Sequence, residues 1–207
     1  TGGRLHFAHI STKGAVDLIR QAKARGINVT CEVTPHHLIL TDEMVLETAY
    51  DTSTKVNPPL RTQEDVDALR DALADGTIDA IATDHAPHHI DEKWVEYDYA
   101  DFGISGLETA VSLIIDRLVL PGIISWMKMA ELMSYNPARI LGVPGGTLKP
   151  GAPGDITIID PDCEYSILPH NFESKGKNSP FVGWRVIGAP YGTVVGGKAV
   201  MYDRRLI

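Results

Sequence analysis

The chain has 207 residues, of which 43% are hydrophobic and 22% charged, proportions that suit a globular fold with a sizeable core. A net charge of −8 and a pI near 5.4, with lysines and arginines scattered rather than striped, leave no basic field for a polyanion, so nucleic acid is not an expected partner. No apolar run approaches the roughly 20 residues that span a bilayer and no signal peptide is read at the start, so no membrane is expected either. The two cysteines, Cys31 and Cys163, are far apart and outside any C-x-x-C pattern, which predicts reduced thiols and a cytoplasmic setting.

The chain opens without Met on "TGGRLHFAHIS", which runs at once into a buried-strand pattern and suggests that an N-terminal part is missing. Residues 4–11 read as a strand, and "GAVDLIRQAKARG" (14–26) as a helix with Ala15, Leu18, Ile19 and Ala22 on one face before a glycine stop. Next, "VTCEVTPHHL" (29–38) is β-branched and then polar, a loop leads to "NPPLR" (57–61), and 63–76 is helical up to Gly76. A third strand, "IDAIATDHA" (78–86), is followed by a polar loop and by a helix over 106–119 with Leu107, Ala110, Val111 and Ile114 on one side. Repeated strand–helix units mean parallel strands covered by helices, an α/β fold. A further helix spans 125–142. From 143 glycine and proline crowd the sequence and short strands follow ("DITIID", "GWRVIGA", "GTVVGGKAVMYD"), so a boundary is placed there: 1–142 as one domain, 143–207 as part of a small β domain.

Each predicted parallel strand carries its unusual polar residues at its C-terminal end. His9 follows "LHFA", His36 and His37 follow "VTCEVTP", and Asp84 follows "IDAIAT". In βα architectures the loops beyond those ends build the active site. His6, by contrast, reads as a hydrogen-bonded structural histidine, the commoner fate of a lone histidine in a strand.

Four stretches carry a resemblance that covers essentially the whole chain in order: "HFAHISTKGAVDLIRQAKARGINVTCEVTPHHLILTD", "KVNPPLRTQEDVDALRDALADGTIDAIATDHAPH", "FGISGLETA" and "SKGKNSPFVGWRVIGAPYGTVVGGK". Together they resemble the C-terminal half of bacterial class I dihydroorotases, members of the amidohydrolase superfamily. The resemblance implies a partial TIM-type (β/α) barrel, about strands six to eight, followed by the C-terminal part of a small β-sandwich domain. The family's first-strand H-x-H motif does not occur in these residues. His9, in "AHIST", matches a histidine metal ligand, and Asp84, in "TDHAPH", matches an aspartate that binds metal and shuttles a proton. Asn57 and His88 match positions that hold the substrate. Phe102 and Gly103, in "DFGISG", match a loop whose backbone touches it, although Asp101 stands where the family usually has proline.

The implied cofactor is zinc, two ions in a full-length enzyme. The implied reaction is the reversible hydrolysis of dihydroorotate to N-carbamoyl-L-aspartate in pyrimidine biosynthesis. The resemblance admits aspartate transcarbamoylase and a second copy of the chain as protein partners. His36 and His37 are expected to orient neighbours through hydrogen bonds, His85 to hold Asp84, and His89 to face solvent. Two alternatives stand beside this: a related cyclic amidohydrolase such as an allantoinase or hydantoinase, and an inactive structural partner of aspartate transcarbamoylase. Retention of His9, Asp84 and His88 speaks against the inactive partner, and His88 with Asn57 against the other hydrolases.

Overall fold

A computed structural model describes residues 2–207 and divides the chain into two compact units. Of the described residues, the first holds 2–110 and 167–184, the second 111–166 and 185–207.

In the first unit three short parallel strands lie in chain order, β1 (Leu5–Phe7), β2 (Val29–Val33) and β3 (Ala80–Ile81). The register pairs Leu5 with Val29 and Val33 with Ile81. Val29, Cys31 and Val33 are buried while Thr30 and Glu32 on the other face are half-buried, the period-two pattern of a pleated strand. His6 bonds Thr30 Oγ1 at 2.8 Å and Glu32 Oε2 at 3.0 Å across that second face, in line with its structural reading.

Helix α1 (Lys13–Ala24) is capped by Thr12, whose hydroxyl accepts from the Ala15 amide. Its buried residues are Val16 and Ile19, whereas Leu18, expected inside, is 68% exposed. The reason lies in where the helix is pinned. Lys23, one turn past Ile19, reaches Asp79 at 2.7 Å and the Thr77 carbonyl at 2.8 Å, and the Lys13 amide bonds Asp65. Those anchors turn the 16/19/23 stripe inward.

The segment 29–38 is a strand only to Val33. Thr34 then caps a short helix, α2 (Pro35–Ile39), because proline at the first helical turn and a threonine side chain bonding the His37 amide favour a helix start over extension. The expected loop to 57 also holds α3 (Glu43–Glu47) and a single turn at Thr52–Thr54. Helix α4 (Gln63–Ala74) matches its periodicity and buries Val66, Leu69, Ala72 and Leu73. The third strand is far shorter than 78–86, since beyond Ile81 the backbone turns into left-handed geometry at Asp84. A four-residue helix, α5 (Ile90–Lys93), follows.

Helix α6 (Ala110–Ile114) begins later than the expected 106, and Leu107 is exposed. In the second unit it widens over Ile115–Val119 to a turn in which the Leu120 amide bonds the Ile115 carbonyl five residues back. The predicted helix over 125–142 is three pieces: α7 (Trp126–Ala130), a similarly widened turn (Glu131–Tyr135), and α8 (Asn136–Leu141), which accommodates Pro137 in its first turn. The predicted tail strands form an antiparallel sheet in the order β4 (Ile156–Ser166), β5 (Arg185–Val195), β6 (Lys198–Tyr202) and β7 (Arg205–Leu206). Gly188 on β5 is required by contact, because a Cβ there would lie 2.3 Å from Ile115 Cγ2.

The outer edges of β1 and β3 have no strand partner among the described residues. Leu5 and Phe7 on β1 are 51% and 40% exposed. Open, apolar strand edges template association. The chain expressed alone is therefore expected to self-associate. Light scattering during a concentration series checks this, and a monodisperse monomer at every concentration would contradict it.

Candidate active site

Because the strands are parallel, all three exits lie at one end of the sheet. Register carries His9 and the Val33–Thr34 junction to similar levels, with Asp84 three residues past Ile81. Both candidate metal ligands sit in left-handed backbone, His9 at φ 36° and Asp84 at φ 48°, conformations that residues with a Cβ seldom adopt. Such strain concentrates where a side chain must be aimed rather than packed.

Between them stands the histidine pair of α2, with ring centroids 4.5 Å apart. His37 is fully committed: its Nδ1 lies 2.7 Å from Thr34 Oγ1 and its Nε2 3.0 Å from the Pro58 carbonyl. Since a carbonyl only accepts, Nε2 carries the proton and Nδ1 accepts from the threonine hydroxyl. His37 thereby ties α2 to the residue that follows Asn57, which is itself exposed. The expectation that this pair orients its neighbours holds for His37. His36 differs, because its Nε2 is buried with no hydrogen-bond partner. Burial, with the nearby His37 and His9 adding to it, holds the His36 imidazole well below the usual histidine range, and burial also lowers His37.

The remaining candidates gather around the loop after α5. His88 Nδ1 lies 3.1 Å from Glu92 Oε2 and 3.8 Å from Asp101 Oδ2, and its Nε2 is 2.9 Å from the Phe102 carbonyl. Gly103 has φ 130°, and a Cβ on it would lie 2.6 Å from Ala86 Cβ and 3.1 Å from His88 Nε2, so only glycine fits. The Gly103 amide donates to the Lys55 carbonyl at 3.0 Å, which brings the Asn57 segment alongside. Through the bridge between His85 and Ile104, the Asp84 segment joins the same loop.

Two histidines take roles other than those expected or beyond them. His85 Nδ1 accepts from the Gly106 and Leu107 amides at 3.2 Å, which makes it a cap for the turn before α6 and not a holder of Asp84. His89 is exposed, as expected, and also caps α5 through the Asp91 amide. Glu92 returns the favour by accepting from the His89 amide at 3.0 Å, which with the His88 ring keeps its carboxyl below the usual range.

Sequence reasoning missed Lys93 and Asn178. The Asn178 side chain accepts from the His88 amide and donates to the Gly103 carbonyl, both at 3.0 Å. No spacing rule could have paired residues 75 positions apart, although "NSP" lies inside a stretch that carried the family resemblance.

Among the described residues, His88, Glu92 and Asp101 form the one group of three metal-ligand-type side chains whose donor atoms fall within 4.8 Å of one another. His88 already hydrogen-bonds there, and both acids are exposed. His9 and Asp84 supply two donors of the types, imidazole and carboxylate, that zinc accepts. Their aimed backbone and the unpartnered His36 nitrogen within electrostatic reach of His9 suit a cation at the strand ends.

The amidohydrolase family profile matches residues 4–200. The chain belongs to the amidohydrolase family. It is 60% identical over 204 residues to a dihydroorotase of Pelotomaculum thermopropionicum, covering 99% of this chain and 47% of that protein. A dihydroorotase of Geobacter metallireducens is 55% identical over 204 residues, again 99% of this chain and 47% of the relative. The solved L-hydantoinase (dihydropyrimidinase) of Arthrobacter aurescens superposes with a TM-score of 0.94 at 33% identity, over 100% of this chain and 46% of that one. The chain thus spans about half the length of the curated relatives it matches.

The His36 environment makes a pH prediction. An unfolded histidine takes up its proton near pH 6.5, while the folded His36 resists protonation until well below that. The unfolded state then binds more protons in that window, so stability falls as pH drops below about 6.5. Replacing His36 by Leu is expected to flatten the stability loss between about pH 7 and pH 5, by up to about 1.4 kcal/mol per pH unit. Denaturant melts of both proteins, without added metal, check it; identical slopes would contradict it.

Proposed function

We propose that this chain is the C-terminal part of a dihydroorotase that opens and closes the cyclic amide of dihydroorotate. The single observation that carries the reading is 60% identity to a dihydroorotase over 99% of this chain. The placement of His9 and Asp84 at the exits of β1 and β3, on the same end of one parallel sheet, supports it. In this reading β1, β2 and β3 are strands six to eight of a (β/α) barrel, and a small β domain begins near residue 143.

His9 and Asp84 would hold zinc, in a centre of two ions whose other ligands lie outside this chain. Bound zinc supplies Lewis acidity and brings the ionisation of water down to about pH 7. The residues of this chain do the rest. Asp84 has one oxygen for coordination and one for a proton, so it can take the proton of the attacking water and deliver it to the ring nitrogen as the C–N bond breaks. That yields N-carbamoyl-L-aspartate, and biosynthesis runs the same proton path in reverse. Asn57, His88 and the backbone at Phe102–Gly103 bind the ring and its carboxylate. His88 is held by Glu92 through Nδ1 and by the Phe102 carbonyl through Nε2, which fixes its ring beside the loop that meets the substrate in this reading. Aspartate transcarbamoylase and a second copy of the chain are the protein partners proposed, and the cytoplasm the setting.

The fold likeness to L-hydantoinase makes hydantoin hydrolysis the second reading, at 33% identity against 60% for the dihydroorotase. Dihydroorotate carries a carboxylate that hydantoin itself lacks, and a site with cationic or amide donors at that position rejects the ligand that leaves them unpaired.

In the full-length protein, Asp84→Asn keeps the size and one coordinating oxygen but removes the charge and the proton acceptor. It is expected to lower kcat by about 10²–10⁴-fold with substrate still bound. His88→Ala is expected to raise KM with a smaller fall in kcat, because its contact exists in ground and transition states alike. Steady-state kinetics in both directions, with dihydroorotate and hydantoin compared, decide. Near-normal kcat in Asp84→Asn, or preference for hydantoin, would overturn the assignment.

A further inference from the structure

Lys93 ends α5 and is only 4% exposed, a rare place for a lysine, since burying an ammonium costs free energy that only good partners offset. Its Nζ donates to two carbonyls, Asp101 O at 2.7 Å and Gly103 O at 3.1 Å. The carbonyl between them, Phe102 O, is taken by His88 Nε2, and Gly103 O also receives Asn178 Nδ2. Three successive carbonyls are thus turned toward donors, with Lys93 holding the outer two.

The geometry of a peptide group gives this a consequence. Among the described residues the cis bond is Asn57–Pro58, so the 101–102 peptide is trans and its N–H points opposite to its C=O. With Asp101 O drawn toward Lys93, the Phe102 N–H faces the other way. An ammonium on the carbonyl polarises the peptide and strengthens what its N–H can donate. The neighbouring amide, Gly103 N, is already spent on Lys55 O. Burial, seconded by Lys55, lowers the Lys93 ammonium from its ordinary value, while Asp101 and Asp51 oppose that. Among the described residues no carboxylate is hydrogen-bonded to its Nζ; the ammonium is spent on backbone.

We infer that Lys93 is a positioning residue whose buried ammonium fixes the 101–103 backbone and charges the Phe102 N–H for an anionic oxygen of the substrate. This rests on the reading that the Phe102–Gly103 loop meets a carboxylate-bearing substrate. Lys93 itself touches no substrate and acts through the peptide it holds.

The test uses the full-length protein with Lys93→Met, Lys93→Gln and Lys93→Arg. Two measurements are made: amide hydrogen exchange over 98–106 by mass spectrometry, and the separate kcat and KM for dihydroorotate. The Met variant is expected to exchange faster at 101–103 and to raise KM by about tenfold or more, the lower end of what losing a charge-assisted hydrogen bond costs, with kcat less changed. Lys93→Gln retains a donor but no charge and should also raise KM, which keeps the test open if the Met variant does not fold. Lys93→Arg keeps the charge and two donors and should recover most of the affinity, a rescue that a purely space-filling role would not produce. An unchanged KM in both neutral variants of an active enzyme, or an unchanged exchange rate at 101–103, would overturn the inference. Faster exchange in a protein whose wild type does not turn over dihydroorotate would instead sink the functional reading and leave the backbone role of Lys93 standing.

Discussion

Parallel pairing in one register is the constraint on which the first unit depends. Once Leu5 aligns with Val29 and Val33 with Ile81, the chain must leave all three strands at the same end. A single residue of slip would move every side chain on a strand to the opposite face. The opposite end is locked by Asp79, whose carboxylate takes the Cys31 amide at 2.9 Å and the Lys23 ammonium at 2.7 Å. Burial and that carboxylate together push the Cys31 thiol up to about 12, which leaves it inert as a nucleophile. The scaffold end is thus ionic, and at the exit end His9 and Asp84 both adopt left-handed backbone.

The exit end shows a division of labour. At His9 and Asp84 the backbone is strained. Around Gly103 the side chains do the holding and the backbone is presented. The two designs suit different chemistry: a metal ion or a proton needs a side-chain donor with a defined direction, whereas an anionic oxygen can be met by a peptide N–H held in place. Loops that carry function on a rigid scaffold commonly combine both.

The strand-to-exit logic was legible in the sequence, because an apolar run that ends in His or Asp reports burial giving way to chemistry. Helix α4 was legible for the same reason, its apolar spacing being regular. The start of α2 at Pro35 is hidden in the sequence, since β-branched residues before it set a strand pattern that a threonine cap and a proline then break. Spacing alone puts Leu18 inside, whereas the anchors at Lys13 and Lys23 set the helix rotation and leave it exposed. Lys93 and Asn178 carried no local signal. A buried lysine looks like any surface lysine until the carbonyls it serves are in place, and those belong to residues eight and ten positions on. What the sequence did supply, through family resemblance, was Gly103 and its loop, for which the structure gives the steric reason.

The central claim is that His9 and Asp84, rather than the exposed cluster of His88, Glu92 and Asp101, hold the metal. Zinc content per chain of the full-length protein, measured after dialysis for wild type, His9→Ala, Asp84→Ala and the double variant Glu92→Gln with Asp101→Asn, tests it most directly. The account predicts that each single variant at the strand exits loses metal while the double variant keeps the wild-type content. Full zinc in His9→Ala and Asp84→Ala, with loss in the double variant, would contradict it.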